Sequence, residues 1–86
     1  MRVILYVAPD AGGARAGFVA SRRVGGAVVR NRARRIMRAA WRAVEPSVRE
    51  GIVAVFVARE TIRGAKAQDV ETEMRDLCGR MGMTRS

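Results

Sequence analysis

Apolar residues along the chain fall into short runs separated by glycine, proline and charged residues. Residues 3–7 (VILYV) are mostly β-branched or aromatic, which predicts a strand. Residues 9–13 (PDAGG) have turn chemistry, and residues 16–21 (AGFVAS) then predict a second strand that returns beside the first as a hairpin. The later run 52–58 (IVAVFVA) is continuously apolar, which predicts a strand buried within the sheet.

Two further segments show the period of an amphipathic helix. From about Ala27 to Val44 the apolar side chains form one arc, which predicts a core-facing side made of Val29, Ala33, Ile36, Met37, Ala40 and Val44. Trp41 lies at the edge of this arc and is predicted to cap the core.

A last helix is predicted to begin near Asp69, after a loop over residues 59–68. Its apolar stripe consists of Val70, Met74, Leu77, Cys78 and Met81. Acidic residues are favourable in a first helical turn, and three are expected there: Asp69, Glu71 and Glu73. Gly79 and Gly82 are the candidates for its end.

The predicted order is strand, strand, helix, strand, helix, without an internal repeat, linker or low-complexity tract. With 86 residues, this predicts one domain over residues 1–86 with a modest core, arranged as a small α/β sandwich. The first apolar run stops at Pro9, which is too early for a signal-peptide core or a membrane span, so we expect a cytoplasmic protein. The single cysteine, Cys78, excludes an internal disulfide and is expected to be a buried thiol.

The formal net charge of +9 is concentrated in the first half of the chain. Residues 1–42 carry ten arginines and one acid, whereas residues 43–86 carry six arginines, one lysine and seven acids and are neutral overall. Such a concentration of cations predicts a polyanionic partner. Histidine is absent, and with one cysteine the chain lacks the side chains for the usual zinc sites and for Ser-His-Asp or Cys-His catalysis.

Six arginines lie on the first predicted helix, four at i, i+4 spacing beside the apolar arc and two along its other edge: Arg30, Arg34, Arg38 and Arg42, then Arg32 and Arg35. Like charges at this spacing repel each other, and an external polyanion would relieve the repulsion. A solvated face is the alternative, but solvated helices usually interleave both signs of charge. Composition alone does not distinguish DNA from RNA. Strands, rather than a supporting helix, flank this helix, which disfavours a helix-turn-helix DNA reader.

Residues 15–35 (RAGFVASRRVGGAVVRNRARR) resemble the signature of the bacterial ribonuclease P protein subunit. The match follows the family's order without gaps and includes Gly17, Ser21-Arg22-Arg23, Gly25, Ala27-Val28 and Arg30-Asn31-Arg32. It continues through residues 38–42 and 57–59, and residues 5–6 fit the strand that precedes the motif, so most of the chain is covered.

The resemblance implies a protein subunit of a ribonucleoprotein endoribonuclease that removes the 5′ leader from precursor tRNA. The implied partners are the ribonuclease P catalytic RNA and precursor tRNA. The catalytic centre and its Mg²⁺ ions are expected in the RNA, with no catalytic residue and no metal held by this chain alone. The RNA-binding residues implied at the family's basic positions are Arg22, Arg23, Arg30, Asn31, Arg32, Arg34, Arg35 and Arg38.

The resemblance also implies an α/β (α+β) two-layer sandwich that is ribosomal protein S5 domain 2-like. It has a sheet of about three strands, a basic helix in a left-handed βαβ crossover and a C-terminal helix, whereas the general rule favours a right-handed crossover. Two departures stand out. Family members usually begin with a further helix and a short strand, and that helix forms one wall of the leader cleft. The sequence begins at the strand after them, so either the true start lies upstream or this is a truncated or naturally minimal form. Val53 stands where the family often has an acid.

Two other functions fit parts of the sequence. A structural RNA-binding module, such as a ribosome-associated protein, would use the same basic helix without a cleavage partner. A protein-only nuclease would need an acid-base or metal site, yet half of the eight acids lie in the last helix, where they are expected on its solvent side.

Overall fold

The computed structural model describes residues 1–10, 12 and 14–84. In these residues the chain forms strands β1, β2 and β3, helices α1 and α2, and two short 3-10 turns at Glu45–Ser47 and Glu60–Ile62. The strands and helices, in chain order, are β1 (Val3–Pro9), β2 (Ala14–Val19), α1 (Ala27–Val44), β3 (Ile52–Ala58) and α2 (Ala67–Arg80). The predicted bounds of α1 and β3 are confirmed, whereas β2 begins and ends two residues before the predicted segment.

The sheet has the strand order β1-β3-β2, with β1 antiparallel and β2 parallel to β3. The predicted hairpin is therefore wrong, because β3 lies between the two strands that were expected to pair. The continuously apolar β3 takes the central position, where strands on both sides shield it from water. Directly after β1 the chain lies beside the beginning of β3, where the Asp10 amide donates to the Gly51 carbonyl at 2.9 Å. Ala11 and Gly13 of the predicted turn lie outside the described residues.

Helices α1 and α2 pack against each other and lie on one face of the sheet, which confirms the two-layer α+β arrangement. The parallel strands β2 and β3 are joined through α1, as a βαβ crossover requires. The core between the layers centres on Phe56 of β3, which is completely buried. Its ring stacks against Phe18 with the centroids 6.2 Å apart, and Trp41 lies tilted above it at 5.6 Å. Trp41 is only 6% exposed, so its predicted core-capping position is confirmed.

Helix α2 begins two residues before its predicted start, because the Asp69 carboxylate accepts a hydrogen bond of 3.0 Å from the Lys66 amide at the helix entrance. Asp69 is therefore the acid of the first turn, and Glu71 and Glu73 lie beyond it. The buried stripe consists of Val70, Met74 and Cys78, whereas Met81 is exposed. Gly82, at φ +69, follows the helix in a backbone conformation that favours glycine. Within residues 1–10, 12 and 14–84, neither helix has the length and apolar character that a membrane span needs.

Candidate RNA-binding surface

A tight turn before α1 carries the first two predicted site residues. The amide of Val24 donates to the Ser21 carbonyl at 3.0 Å, and the amide of Gly25 donates to the Arg22 carbonyl at 3.2 Å. Val24 is fully buried and anchors the turn, while Arg22 and Arg23 are exposed. Gly25 has φ +150, and a Cβ there would lie 3.0 Å from the Val29 side chain, so the entry into α1 depends on this glycine.

Helix α1 begins without a side-chain cap. Gly26 occupies the N-cap position, and the first turn contains no acid. The amides at this end therefore lack side-chain acceptors, and their partial positive charge adds to that of the neighbouring arginines. Val28, in the same turn, is 82% exposed.

The remaining predicted site residues all lie on α1, on its exposed side or along the edges of its buried side. Asn31, Arg35 and Arg38 are exposed, and Arg30, Arg32 and Arg34 are half-buried. The buried residues of the helix are Ala33, Ile36, Met37, Ala40, Trp41 and Val44, close to the predicted arc, although Val29 is only half-buried. The exposed side of α1 is therefore charged, and its half-buried arginines border the core-facing side.

Four of these side chains make contacts within the protein. Arg34 donates to the Asn31 side-chain oxygen at 2.6 Å, which orients both groups on the exposed side of α1. Arg32 donates to the carbonyl of Ala65 at 2.9 Å, across to the segment before α2. The Arg38 guanidinium lies over the Phe18 ring, 5.9 Å from its centroid. By contrast, Nε of Arg30 is shielded from water and has no hydrogen-bond partner.

The positive charge on this side of the molecule is not neutralised by acids. Among the described residues the ion pairs are Arg2 with Glu73, Arg15 with Asp10, Arg75 with Glu71, and Arg80 with Asp76. None includes an arginine of α1 or of the turn before it. In β2, the hydrogen bond and the negative charge of Asp10 raise the pKa of Arg15. The exposed side of α2 balances its own charges, so the electrostatic field of the domain is one-sided.

A cavity of about 340 Å³ lies where the parallel strands β2 and β3 end. Its polar lining comes from Ser21, Arg23, Arg59, Glu60 and Thr61. Arg59 was matched to the family signature but not assigned to the site. The available signal was its place directly after β3, because the carboxyl ends of parallel strands meet at one edge of a sheet.

The face of the sheet opposite the helices is apolar and open. Strand register places Ile4 and Val19 on either side of Val57, and Tyr6 beside Val55 in the next row. Ile4 is 38%, Val19 46% and Tyr6 59% exposed. Sequence reasoning missed this surface, because the face of an edge strand cannot be assigned until its partner strand is known.

Metal-ligating side chains do not cluster within the described part of the chain. Among residues 1–10, 12 and 14–84, no group of three or more cysteine, aspartate or glutamate side chains is placed to hold a metal ion. The described part of the chain thus offers arginines for phosphates and no cluster of acids for Mg²⁺.

Comparison with known proteins identifies the family. The family model described as Ribonuclease P matches residues 1–82. The chain belongs to this family. It is 38% identical over 84 residues to the ribonuclease P protein component of Pelotomaculum thermopropionicum, which covers 98% of this chain and 75% of that protein. It is 39% identical over 69 residues to the same component of Symbiobacterium thermophilum, which covers 80% of this chain and 60% of that protein.

Solved ribonuclease P proteins share the fold. The Staphylococcus aureus protein matches 98% of this chain with a TM-score of 0.80 at 15% identity, over 78% of its own length. The Thermotoga maritima protein matches 92% of this chain with a TM-score of 0.80 at 20% identity, over 76% of its own length. The resemblance of residues 15–35 is thereby confirmed at the level of family and fold. Membership supports a role as a subunit in tRNA 5′ processing. The individual RNA-binding residues stay predictions.

Proposed function

We propose that this chain binds the ribonuclease P catalytic RNA through α1 and the turn before it, and thereby assists removal of the 5′ leader from precursor tRNA. The observation that carries the proposal is the row of α1 arginines, which runs beside the buried side of the helix without a neutralising acid. Arginine suits this task because its planar guanidinium matches phosphate geometry and keeps its charge at any working pH. The electrically balanced side of α2 is expected to face away from the RNA.

The cavity and the open sheet face are the surfaces proposed for the leader. Both lie at the outer side of the sheet, since Ile4 and Val57 line the cavity and also belong to the open face. Arg23 and Arg59 would contact phosphates at the cavity. An unpaired base of the leader would stack on the exposed ring of Tyr6. Stacking on an aromatic side chain is open to every base, so this contact would suit leaders of different sequence.

In this proposal the chemistry belongs to the RNA subunit and its Mg²⁺ ions. The arginines neutralise phosphates where folded RNA and substrate approach each other, a task that Mg²⁺ otherwise performs by screening. The protein is therefore expected to lower the Mg²⁺ concentration needed for cleavage. By counterion release, neutralising about six phosphates would weaken RNA binding about a thousandfold between ~50 and ~200 mM salt.

Reconstitution tests the proposal. The chain is added to a bacterial ribonuclease P RNA, and precursor-tRNA cleavage is measured across a Mg²⁺ titration, beside Arg35→Ala and the control Arg49→Ala. Both residues are exposed arginines, but only Arg35 lies on α1. We expect cleavage at lower Mg²⁺ with the chain and with Arg49→Ala, and a smaller gain with Arg35→Ala. No gain from the unmodified chain would refute the proposal.

Two further measurements address the other functions. Recovery of ribosomal RNA without ribonuclease P RNA in a pull-down would favour a ribosome-associated module. Cleavage of precursor tRNA by the purified protein without RNA would point to a protein-only nuclease. We expect neither result.

A further inference from the structure

Arg32 differs from the neighbouring arginines of α1 because it makes a long-range hydrogen bond within the protein. Its Nη2 donates to the carbonyl of Ala65 at 2.9 Å, in a part-buried position, across 33 positions of the chain. Ala65 is only 6% exposed. The carbonyl of so buried a residue needs a hydrogen-bond partner, and water has little access to it. The guanidinium of Arg32 supplies that partner in place of water.

The acceptor belongs to a well-fixed segment. The amide of Ala65 donates to the Ile62 carbonyl at 3.0 Å, and the Ile62 side chain is 1% exposed. The residues that lead into this turn are Arg59, Glu60 and Thr61, which line the cavity together with Arg23. One end of the hydrogen bond is therefore on the arginine helix, and the other is on the chain that forms the cavity rim.

We propose that Arg32 is a positioning residue that holds the arginines of α1 and the Arg59 side of the cavity in one arrangement, so that the catalytic RNA bound on α1 also reaches the rim of the cavity that takes the leader. The inference deepens the proposed function and rests on it for the RNA partner and for the cavity as the place of the leader.

Arg30 provides the natural comparison. It belongs to the same Arg-Asn-Arg sequence and is also half-buried, but its Nε has no hydrogen-bond partner in the structure. Two residues apart on a helix, the two side chains point about 200 degrees away from each other. The Nε of Arg30 is shielded from water, but no described hydrogen bond or ion pair uses its guanidinium. Arg30 is therefore expected to give its charge to phosphate, whereas Arg32 is expected to act mainly through Ala65.

The test uses the full chain with Arg32→Ala, Arg32→Lys and Arg30→Ala. Thermal unfolding is followed without RNA. Affinity for ribonuclease P RNA is measured at several salt concentrations, well below each unfolding midpoint. Lysine keeps the charge but presents a compact ammonium on a shorter reach instead of a planar fork. Arg32→Lys therefore separates loss of charge from loss of the contact with Ala65.

We expect Arg30→Ala to lower the midpoint less than Arg32→Ala does, and to reduce the slope of log affinity against log salt by about 0.7 to 0.9, the contribution of one phosphate contact. Arg32→Ala should lower the midpoint and weaken binding several-fold with the slope unchanged. Arg32→Lys should resemble Arg32→Ala in affinity although it retains the charge.

Three results would overturn the inference. A reduced slope with an unchanged midpoint for Arg32→Ala would make Arg32 a direct phosphate contact. A lower midpoint with unchanged affinity would leave it a purely structural residue, and wild-type affinity for Arg32→Lys would show that charge alone matters. If the unmodified chain gives the expected slopes but no gain in precursor-tRNA cleavage, the proposed function fails while the positioning role stands.

Discussion

The guanidinium of Arg38 lies over the ring of Phe18, 5.9 Å from its centroid. Phe18 itself stacks on Phe56 at the centre of the core. A single aromatic ring therefore joins the packing of the sheet to the charged side of α1. This contact orients Arg38 but uses none of its N–H groups, which can still donate hydrogen bonds to a phosphate.

Replacing the ring should uncouple these two roles. Phe18→Leu keeps an apolar side chain but loses the stacked ring and the cation–π contact, and is expected to lower the free energy of unfolding by about 1 to 2 kcal/mol. Arg38→Ala should cost about 0.5 kcal/mol in the wild type and nothing in the Phe18→Leu background. Urea unfolding of the two single variants and the double variant measures this. Additive effects would show that the contact contributes nothing.

The core-facing side of α1 can be tested in the same way. Ile36 is 9% exposed and packs in the core, so Ile36→Ala should lower the free energy of unfolding by about 2 to 5 kcal/mol. The control is the neighbouring exposed residue Arg35, and Arg35→Ala should change the free energy of unfolding by no more than about 0.5 kcal/mol. Where Ile36→Ala remains folded, the salt dependence of RNA binding should match the wild type. The reverse pattern would contradict the assignment of the two sides.

The accuracy of the sequence-based prediction depended on how local each signal was. The bounds of α1 were predictable because its apolar period runs through the whole helix, and Gly25 and Pro46 lie just outside it. Strand order was not predictable, because the local sequences of β1 and β2 carry no signal that the distant strand β3 lies between them. The start of α2 was missed because it depends on one side-chain hydrogen bond, from the Lys66 amide to Asp69.

The same distinction applies to the candidate site. The arginines of α1 could be found from charge and helical period alone. Arg59 and Tyr6 gain their meaning only from strand pairing, which brings Arg59 to the cavity and leaves Tyr6 on the open face. The contact of Arg32 with Ala65 is a long-range one, which no local pattern announces.

Burial also predicts the reactivity of the single thiol. Cys78 is 2% exposed, and its burial raises the pKa of the thiol above its ordinary value. At neutral pH the native protein should therefore react slowly with iodoacetamide, and denaturant should accelerate the reaction strongly. As pH rises above the ordinary thiol pKa, the thiol ionises in the unfolded chain while it stays protonated in the folded protein, so the free energy of unfolding should fall in this pH range. Cys78→Ala should remove this pH-dependent loss of stability. Rapid alkylation of the native protein would contradict this account.

The N-cap of α1 gives a test in which stability and RNA binding should change in opposite directions. Gly26 has φ −72, and an added Cβ would meet no atom within 4 Å, so the fold itself accepts a side chain here. Gly26→Asp should cap the helix and raise the free energy of unfolding by about 0.5 kcal/mol, while its negative charge among the arginines should weaken RNA binding. Gly26→Ser adds a cap without charge. In urea unfolding it should raise the free energy of unfolding by a similar amount. In an RNA titration the Gly26→Ser protein should bind RNA more tightly than the Gly26→Asp protein. Equal RNA affinities for the two variants would mean that the RNA does not approach this end of α1.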